Sequence, residues 1–272
     1  MRLLECGNQS VCSQPYLIEV EIKMIAIDYQ DTVAVVKLSR DVTNALNLEL
    51  VNALAECLQR VEQDPDINGL VLGSSNDKFL SIGFDIPQLF DLSRGDFESF
   101  YRAFNRLCLR LYTLPKPTVA AVTGHAIAGG CILVLCCDYR FIAEGRKLMG
   151  LIEIKLGVPV PYLADCLLRS VVGVRNAREM AESGEFYQPA ELLQMGLVDG
   201  VVPLEQVLPA AIAKARSLGA MPQEAYAIIK HNRVEQVETR VLAHLEDKMQ
   251  LFLERWYSDA TRERLREAVK KF

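Results

Sequence analysis

The sequence predicts an α/β fold in which a repeated strand–helix core passes into an all-helical C-terminal region. Three observations carry this expectation. Short apolar runs alternate with helical stripes as far as residue 150. Polar or proline breaks, such as Gln30-Asp31 and Leu114-Pro115-Lys116-Pro117, separate them. From Leu204 onward no strand pattern returns, and long charged faces mark helix instead. The expected organisation is an N-terminal extension over 1–23, a core over 24–203 and a helical region over 204–272. No Gly/Ser linker separates the last two.

Element by element, MIAIDYQDTVAVVKLSR reads as two short strands joined at Gln30-Asp31, opening at Met24. Asn47 can cap a helix that presents Leu50, Val51, Leu54, Leu58 and Val61 on one face. NGLVLGSS is a continuous apolar run suited to a buried strand. KFLSIGFDI follows as a loop. Asp96 can cap the next helix, whose stripe is Phe97, Phe100, Tyr101, Phe104, Leu107, Cys108 and Leu111. Prolines end that helix. TVAAVTG is a strand, GGCILVLCC a short buried helix and YRFIAEG another strand. GVRNAREMAESG is a helix closed by Gly184, Pro189 suits the first turn of the next helix, and LVDGVVP is a last strand.

Composition narrows the function classes. The chain has 272 residues, 50% hydrophobic and 24% charged, with a formal net charge of -5. Nucleic-acid binders carry a basic footprint, so none is expected as a partner. Eight cysteines lie mostly inside apolar segments, without C-x-x-C, and only three histidines accompany them. Reduced thiols in a cytoplasmic protein with no metal site are therefore expected. The first 23 residues lack the apolar run and cleavage site of a signal peptide. Thr118 to Cys137 has the length of a membrane span, but Thr123, Gly124, His125 and two adjacent glycines interrupt it. A strand, turn and buried helix fits better.

Three stretches can carry chemistry. GHAIAGGCILVLCCDYR has the spacing G-x-x-x-x-G at Gly124 and Gly129 but lacks the Lys and Ser/Thr of a phosphate loop. What remains is a glycine turn before a helix start, where exposed N–H groups can stabilise an oxyanion or the glycines can serve packing. KFLSIGFDI places Ser81 two residues before Gly83, so that a backbone N–H at Ser81 could face one at Gly129. MGLIEIKLGVPVP sets Glu153 among Leu151, Ile152, Ile154 and Leu156. Apolar surroundings raise a carboxyl pKa toward the range of a general base at neutral pH. An exposed glutamate on a strand edge is the plain alternative. His125 with a neighbouring cysteine would need a third orienting group to be a nucleophile, and packing accounts better for Cys131, Cys136 and Cys137. The basic tail of Arg262, Arg264, Arg266, Lys270 and Lys271 reads as a solvated helix face, or as a contact for the phosphates of a ligand.

KFLSIGFDI, AAVTGHAIAGGCILVLCCDYRFIAE, GLIEIKLGVP and AESGEFYQPAELLQMGLVDGVVP, in that order and spacing, resemble the enoyl-CoA hydratase/isomerase (crotonase) superfamily. The resemblance runs from about Met24 to the C-terminus. It implies a crotonase-like spiral of ββα turns with a C-terminal helical trimerisation region, assembled as a homotrimer or dimer of trimers. It also implies an acyl-CoA substrate whose thioester oxygen is held by the N–H groups of Ser81 and Gly129. CoA then belongs to the substrate, and no separate cofactor is called for. Contacts to the CoA thioester fall at Ala45 and its neighbours Asn44 and Leu46, at Ser81, Ile82, Gly83, Phe84 and Asp85, and at Gly129 and Ile152.

Hydratases of this family carry two glutamates. Here the first of those positions is Ile132, which cannot hold or deprotonate water, and the second is Glu153. GLIEIKLG is similar to the form found in Δ3,Δ2-enoyl-CoA isomerases, and PVPYLADCL replaces the Gly-rich run of hydratases. The resemblance thus implies an enoyl-CoA isomerase in which Glu153 shuttles one proton. The alternatives are a hydratase, another crotonase-type acyl-CoA reaction, or a non-catalytic acyl-CoA-binding protein.

Overall fold

A computed structural model of the chain describes residues 20–22 and 24–270. The expected extension thus lies outside the described residues, except for Val20–Ile22. Those three form strand β1, which pairs antiparallel with β2 (Ile25–Gln30). The sheet therefore starts before Met24: the sequence Val20-Glu21-Ile22 alternates apolar and charged residues as a strand does, and it pairs with β2.

Two sheets organise the core. The larger holds seven strands in the order β1-β2-β3-β4-β6-β8-β10. Its further members are β3 (Val33–Leu38), β4 (Gly69–Ser74), β6 (Thr118–Val122), β8 (Tyr139–Ala143) and β10 (Gly200–Val202). From β3 onward every neighbour is parallel. The smaller sheet is parallel and holds β5 (Phe79–Ser81), β7 (His125–Ile127) and β9 (Met149–Gly150). The chain climbs in ββα turns: one strand in the large sheet, one in the small sheet, then helix. β4 and β5 lead to α2 (Ile86–Phe90) and α3 (Arg94–Thr113). β6 and β7 lead to α4 (Gly129–Leu135). β8 and β9 lead to α5 (Glu153–Leu156) and α6 (Tyr162–Ser183).

Side chains along the large sheet divide by the period-2 rule. Ala34, Val36, Leu70, Leu72, Ala120 and Val122 enter the main core. Val33, Val35, Val71, Val119 and Ala121 face the other way, against Val207, Ala211 and Ala215 of α8 (Leu204–Gly219). Helices on both faces explain why these strands read as unbroken apolar runs.

Several local expectations match the structure. Asn47 caps α1 (Leu48–Gln63), its side chain accepting from Leu50 N at 2.9 Å, and all five striped residues are buried. The α3 stripe is buried throughout. Others are corrected. KFLSIGFDI is not all loop: Phe79–Ser81 is strand β5, made by pairing with β7, which lies far away in sequence. The cap of α3 is Ser93, not Asp96. Ser93 Oγ accepts from Asp96 N at 3.1 Å and donates to the Asp96 carboxylate at 2.6 Å, so Asp96 is the acidic first-turn partner of the cap. The helix closed by Gly184 starts at Gly173 as expected, where the backbone is non-helical (φ 74°, ψ 165°), and a further helical segment from Tyr162 leads into it. α7 (Pro189–Gln194) starts at the expected proline.

The C-terminal helices are not set apart from the core. α8 is a layer on the sheet. α9 (Gln223–Trp256) runs against α3 and α6, and α10 (Asp259–Val269) turns back over α2 and α5. Asp138 anchors α9: it accepts from Lys230 Nζ at 2.7 Å and from Thr118 N at 2.9 Å, and it also pairs with Arg233. No described helix is long and apolar enough to cross a membrane, and Thr118–Leu135 divides into β6, β7 and α4.

Candidate active site

Three segments from successive turns of the spiral meet at one cavity of about 320 Å³. The first is the exit of β5. Pairing between β5 and β7 shifts register between Phe79 and Ser81, so the chain leaves the sheet at Ser81. The loop that follows is clamped to residues 43–46. Ile82 N donates to Thr43 O at 2.9 Å, Leu46 N to Gly83 O at 2.7 Å, and Asp85 N to Leu46 O at 2.9 Å. Ser81 Oγ donates to Asn44 O at 2.8 Å and accepts from Gly83 N at 3.1 Å.

The second segment is the turn from β7 into α4. Ala128 holds φ 46° and ψ -116°, a conformation that costs a non-glycine residue free energy and concentrates at functional sites. Gly129 then opens α4, where its N–H has no acceptor within the helix. The turn and the β5 exit are in close contact. Gly83 has φ +96°, and a Cβ there would lie 3.0 Å from Gly129 N.

The third segment is the start of α5. Glu153 follows β9 by three residues, and Gly157, with φ 84°, closes the helix after one turn. Glu153 is 6% exposed, and its Oε2 has no hydrogen-bond partner among the described residues. Burial pushes its carboxyl up to about 7, outweighing the opposing effect of a bond from its own N–H. Burial raises the pKa values of Tyr101 and Cys131, and both lie close enough to Glu153 that its charge adds to the rise. Glu153 is the one carboxylate among the described cavity-lining residues.

Of the residues singled out from sequence, Ile82, Phe84, Gly129, Ile152 and Glu153 line this cavity. Ala45, Ser81, Gly83 and Asp85 stand behind the wall. Asp85 pairs with Arg40 at 2.6 Å and accepts from Gln88 N at the start of α2, while Ala45 O also takes the Arg40 guanidinium. Ile132 is 1% exposed in the apolar core. Cys131, Cys136 and Cys137 are buried thiols whose pKa burial raises, which is packing behaviour and not that of a nucleophile. His125 lines the cavity with Nδ1 accepting from Leu148 N at 2.9 Å, and burial lowers its pKa with help from Lys147, Arg146 and Lys78. It is therefore a neutral imidazole at pH 7.

Sequence reasoning missed the far wall. Phe252 and Trp256 from α9 and Ala268 from α10 close the cavity, with Phe186 from the loop after α6. Trp256 stacks on Phe97 at 4.2 Å between ring centroids, and Phe252 on Tyr101 at the same distance. The aromatic positions of α3 were legible as a stripe, but nothing local links them to residues 150 positions away.

The sequence model of the family described as enoyl-CoA hydratase/isomerase matches residues 28–272. Human mitochondrial enoyl-CoA delta isomerase 1 is 32% identical over 222 residues, which cover 81% of this chain and 74% of that protein. A probable enoyl-CoA hydratase of Mycobacterium tuberculosis is 31% identical over 207 residues, covering 76% and 79%. Among solved structures, human mitochondrial delta3-delta2-enoyl-CoA isomerase superposes with a TM-score of 0.88 at 29% identity, over 92% of this chain and 98% of that one.

Proposed function

Because the chain belongs to the enoyl-CoA hydratase/isomerase family, we propose that it is an enoyl-CoA isomerase that moves the double bond of a 3-enoyl-CoA to position 2. The observation that carries this reading is Glu153: one buried carboxylate, raised to about 7, facing a cavity whose other lining side chains are apolar apart from His125. In this reading the thioester oxygen is held by the N–H of Gly129, which lines the cavity, while Ser81, expected as the second donor, is fully buried behind the wall. Ionised Glu153 removes a proton from C2, and negative charge moves onto the thioester oxygen. The C2–C3 double bond then forms as the C3–C4 double bond opens, and Glu153 returns the proton at C4. One base serves both steps, and no proton is gained or lost overall. CoA enters as part of the substrate.

Names of relatives point both ways, to isomerase and to hydratase. Hydration needs a second carboxylate to activate water, and the position where family hydratases carry it is Ile132, which is apolar and buried. That favours the single-base reaction. The six described cysteines are free buried thiols, consistent with the proposed cytoplasmic residence. Assembly as a homotrimer or dimer of trimers is part of the same proposal. Ile228, Ile229 and Leu242 leave apolar surface on α9 for it, and light scattering tests it.

The deciding experiment supplies purified protein with a 3-enoyl-CoA and with crotonyl-CoA. Isomerisation that disappears in Glu153→Gln, while CoA-ester binding persists, is the expected result. Hydration of crotonyl-CoA at a comparable rate would overturn the isomerase reading in favour of a hydratase. Binding without exchange of the C2 proton into deuterated buffer would identify a non-catalytic acyl-CoA-binding protein.

A further inference from the structure

The cavity that holds Glu153 has two unlike ends. The small sheet is parallel, so Phe79, His125 and Leu148 stand together where its strands begin, and all three line the cavity. Lys78, Arg146 and Lys147 lie near enough to His125 for their charges to act on it. The same strands lead forward to Gly129 and Glu153, and beyond them α5 and Gly157 deliver Val158 to the opposite end. There Phe252 and Trp256 complete an apolar wall. A CoA thioester carries its negative charges on the nucleotide side and none on its acyl chain. Cations therefore mark the entrance for CoA, and the apolar end takes the chain.

Behind that end lies a second cavity, a groove of about 930 Å³ between α6 and α9. Val158 and Phe252 line both spaces, one from the loop after α5 and the other from α9. They are 4% and 2% exposed, so together they shut the passage. Phe252 is held by stacking on Tyr101, which also lines the groove, and on Trp256 with 6.2 Å between ring centroids. The groove has apolar side chains of its own: Ile154, Val174 and Leu251 line it and are exposed. Apolar side chains gathered in one groove mark a binding surface.

We propose that Phe252 and Val158 are the specificity-determining residues that end the acyl site, and that the groove behind them is a latent extension that receives the ω-end of a longer chain once this wall is thinned. A ceiling on chain length follows. Each methylene gains apolar burial until the chain meets these two side chains, and gains none beyond them.

The proposal rests on the acyl-CoA reading, so binding is measured apart from turnover. Saturated acyl-CoAs of increasing length are titrated calorimetrically into wild type, Phe252→Leu and Val158→Ala. In wild type, affinity should rise roughly fourfold per methylene up to a break, then stay level or fall. Both variants should move the break to longer chains. The ratio of kcat/KM for long over short 3-enoyl-CoAs should rise with it, again roughly fourfold for each further methylene admitted. Leu251→Asp in the Phe252→Leu background puts a charge in the groove and should return the break to its wild-type length. A Phe252 that serves packing alone would lower the melting temperature of Phe252→Leu and weaken all lengths alike, which overturns the proposal. An unbroken rise in wild type overturns it too. So does a break that stays in place while Leu251→Asp in wild type lowers the mass seen by light scattering, since a second copy of the chain then covers the groove. Should Phe252→Leu not fold, Val158→Ala opens the wall from its other side and decides alone. Failure of every acyl-CoA to bind wild type would remove the acyl-CoA reading and the proposal with it. Binding with a movable break but no isomerisation would count against the isomerase reading and leave the wall established.

Discussion

Gly130 packs so closely on Ser81 that a Cβ at position 130 would collide with the Ser81 carbonyl oxygen and lie 2.9 Å from its Cβ. Two turns of the spiral approach through this contact, and the position of the Gly129 N–H relative to the loop after β5 depends on it. Gly130→Ala must push the loops apart. We expect kcat/KM for a 3-enoyl-CoA to drop by ~10²-fold or more, measured beside a thermal melt. Activity within a fewfold of wild type would show that the spacing tolerates the shift.

Glu153 must be ionised to take a proton, and its pKa is about 7. kcat/KM should therefore fall about tenfold for each pH step below that value and level off above it. A pH–rate profile flat from 5 to 8 would contradict this assignment.

The same burial makes Glu153 a stability liability. Its folded pKa of about 7 stands above its ordinary 4.5, so the folded state binds the proton more tightly. Its contribution is full below pH 4.5 and is lost as pH rises through 7. The difference across that window is roughly 3 kcal/mol at ~1.4 kcal/mol per pH unit. Glu153→Gln carries no such charge. Its melting temperature should exceed that of wild type at pH 8 and match it near pH 4.5. Equal stability at pH 8 would argue against a desolvated carboxylate.

Asp138 and Lys230 are both almost fully buried and 2.7 Å apart. Removing one partner of such a pair leaves an uncompensated charge, at a cost of about 3–5 kcal/mol. Thr118 and Arg233 remain on Asp138 and place the expected loss from Lys230→Met toward the low end. Arg233 is half exposed, and Arg233→Ala should cost about 1 kcal/mol or less. Urea unfolding of both variants checks the order.

Ala268 of α10 lines the cavity more than a hundred residues after Glu153. Ala268→Trp should fill part of that wall and raise KM for long acyl chains while sparing short ones. A panel of thioesters of increasing length reads this directly. A uniform effect on all lengths would remove α10 from the acyl wall.

How legible each feature was follows from how local its cause is. The cap at Asn47 and the α3 stripe depend on residues within a few positions, and both could be read. Ser93 and Asp96 both carry capping side chains, so the pattern could not rank them; the extended backbone at Ser93 does. β5, β7 and β9 have three, three and two residues, too short for any periodicity, and exist only because they pair with one another. Glu153 was a candidate because apolar residues flank it, but flanking residues do not set burial. Phe252 of α9, stacked on Tyr101, helps enclose the cavity. The expected contacts at Ala45 and Asp85 follow the motif in order, yet their polar groups are engaged by Arg40 behind the cavity wall.

The sequence by itself determined the alternation of strand and helix, the glycines at 83, 129 and 130, one glutamate in an apolar setting and an isoleucine at position 132. These are properties of residue type and spacing, and each survives without knowing what lies opposite. Long-range packing alone sets the closure of the cavity by α9 and α10, the burial of Glu153 with an Oε2 that has no partner among the described residues, and the bond from Asn44 to the Leu80 carbonyl. Each of those depends on contacts between segments far apart in the chain. Burial, pKa and the direction of an N–H are set by what surrounds a group in space, and the order of residues does not contain it.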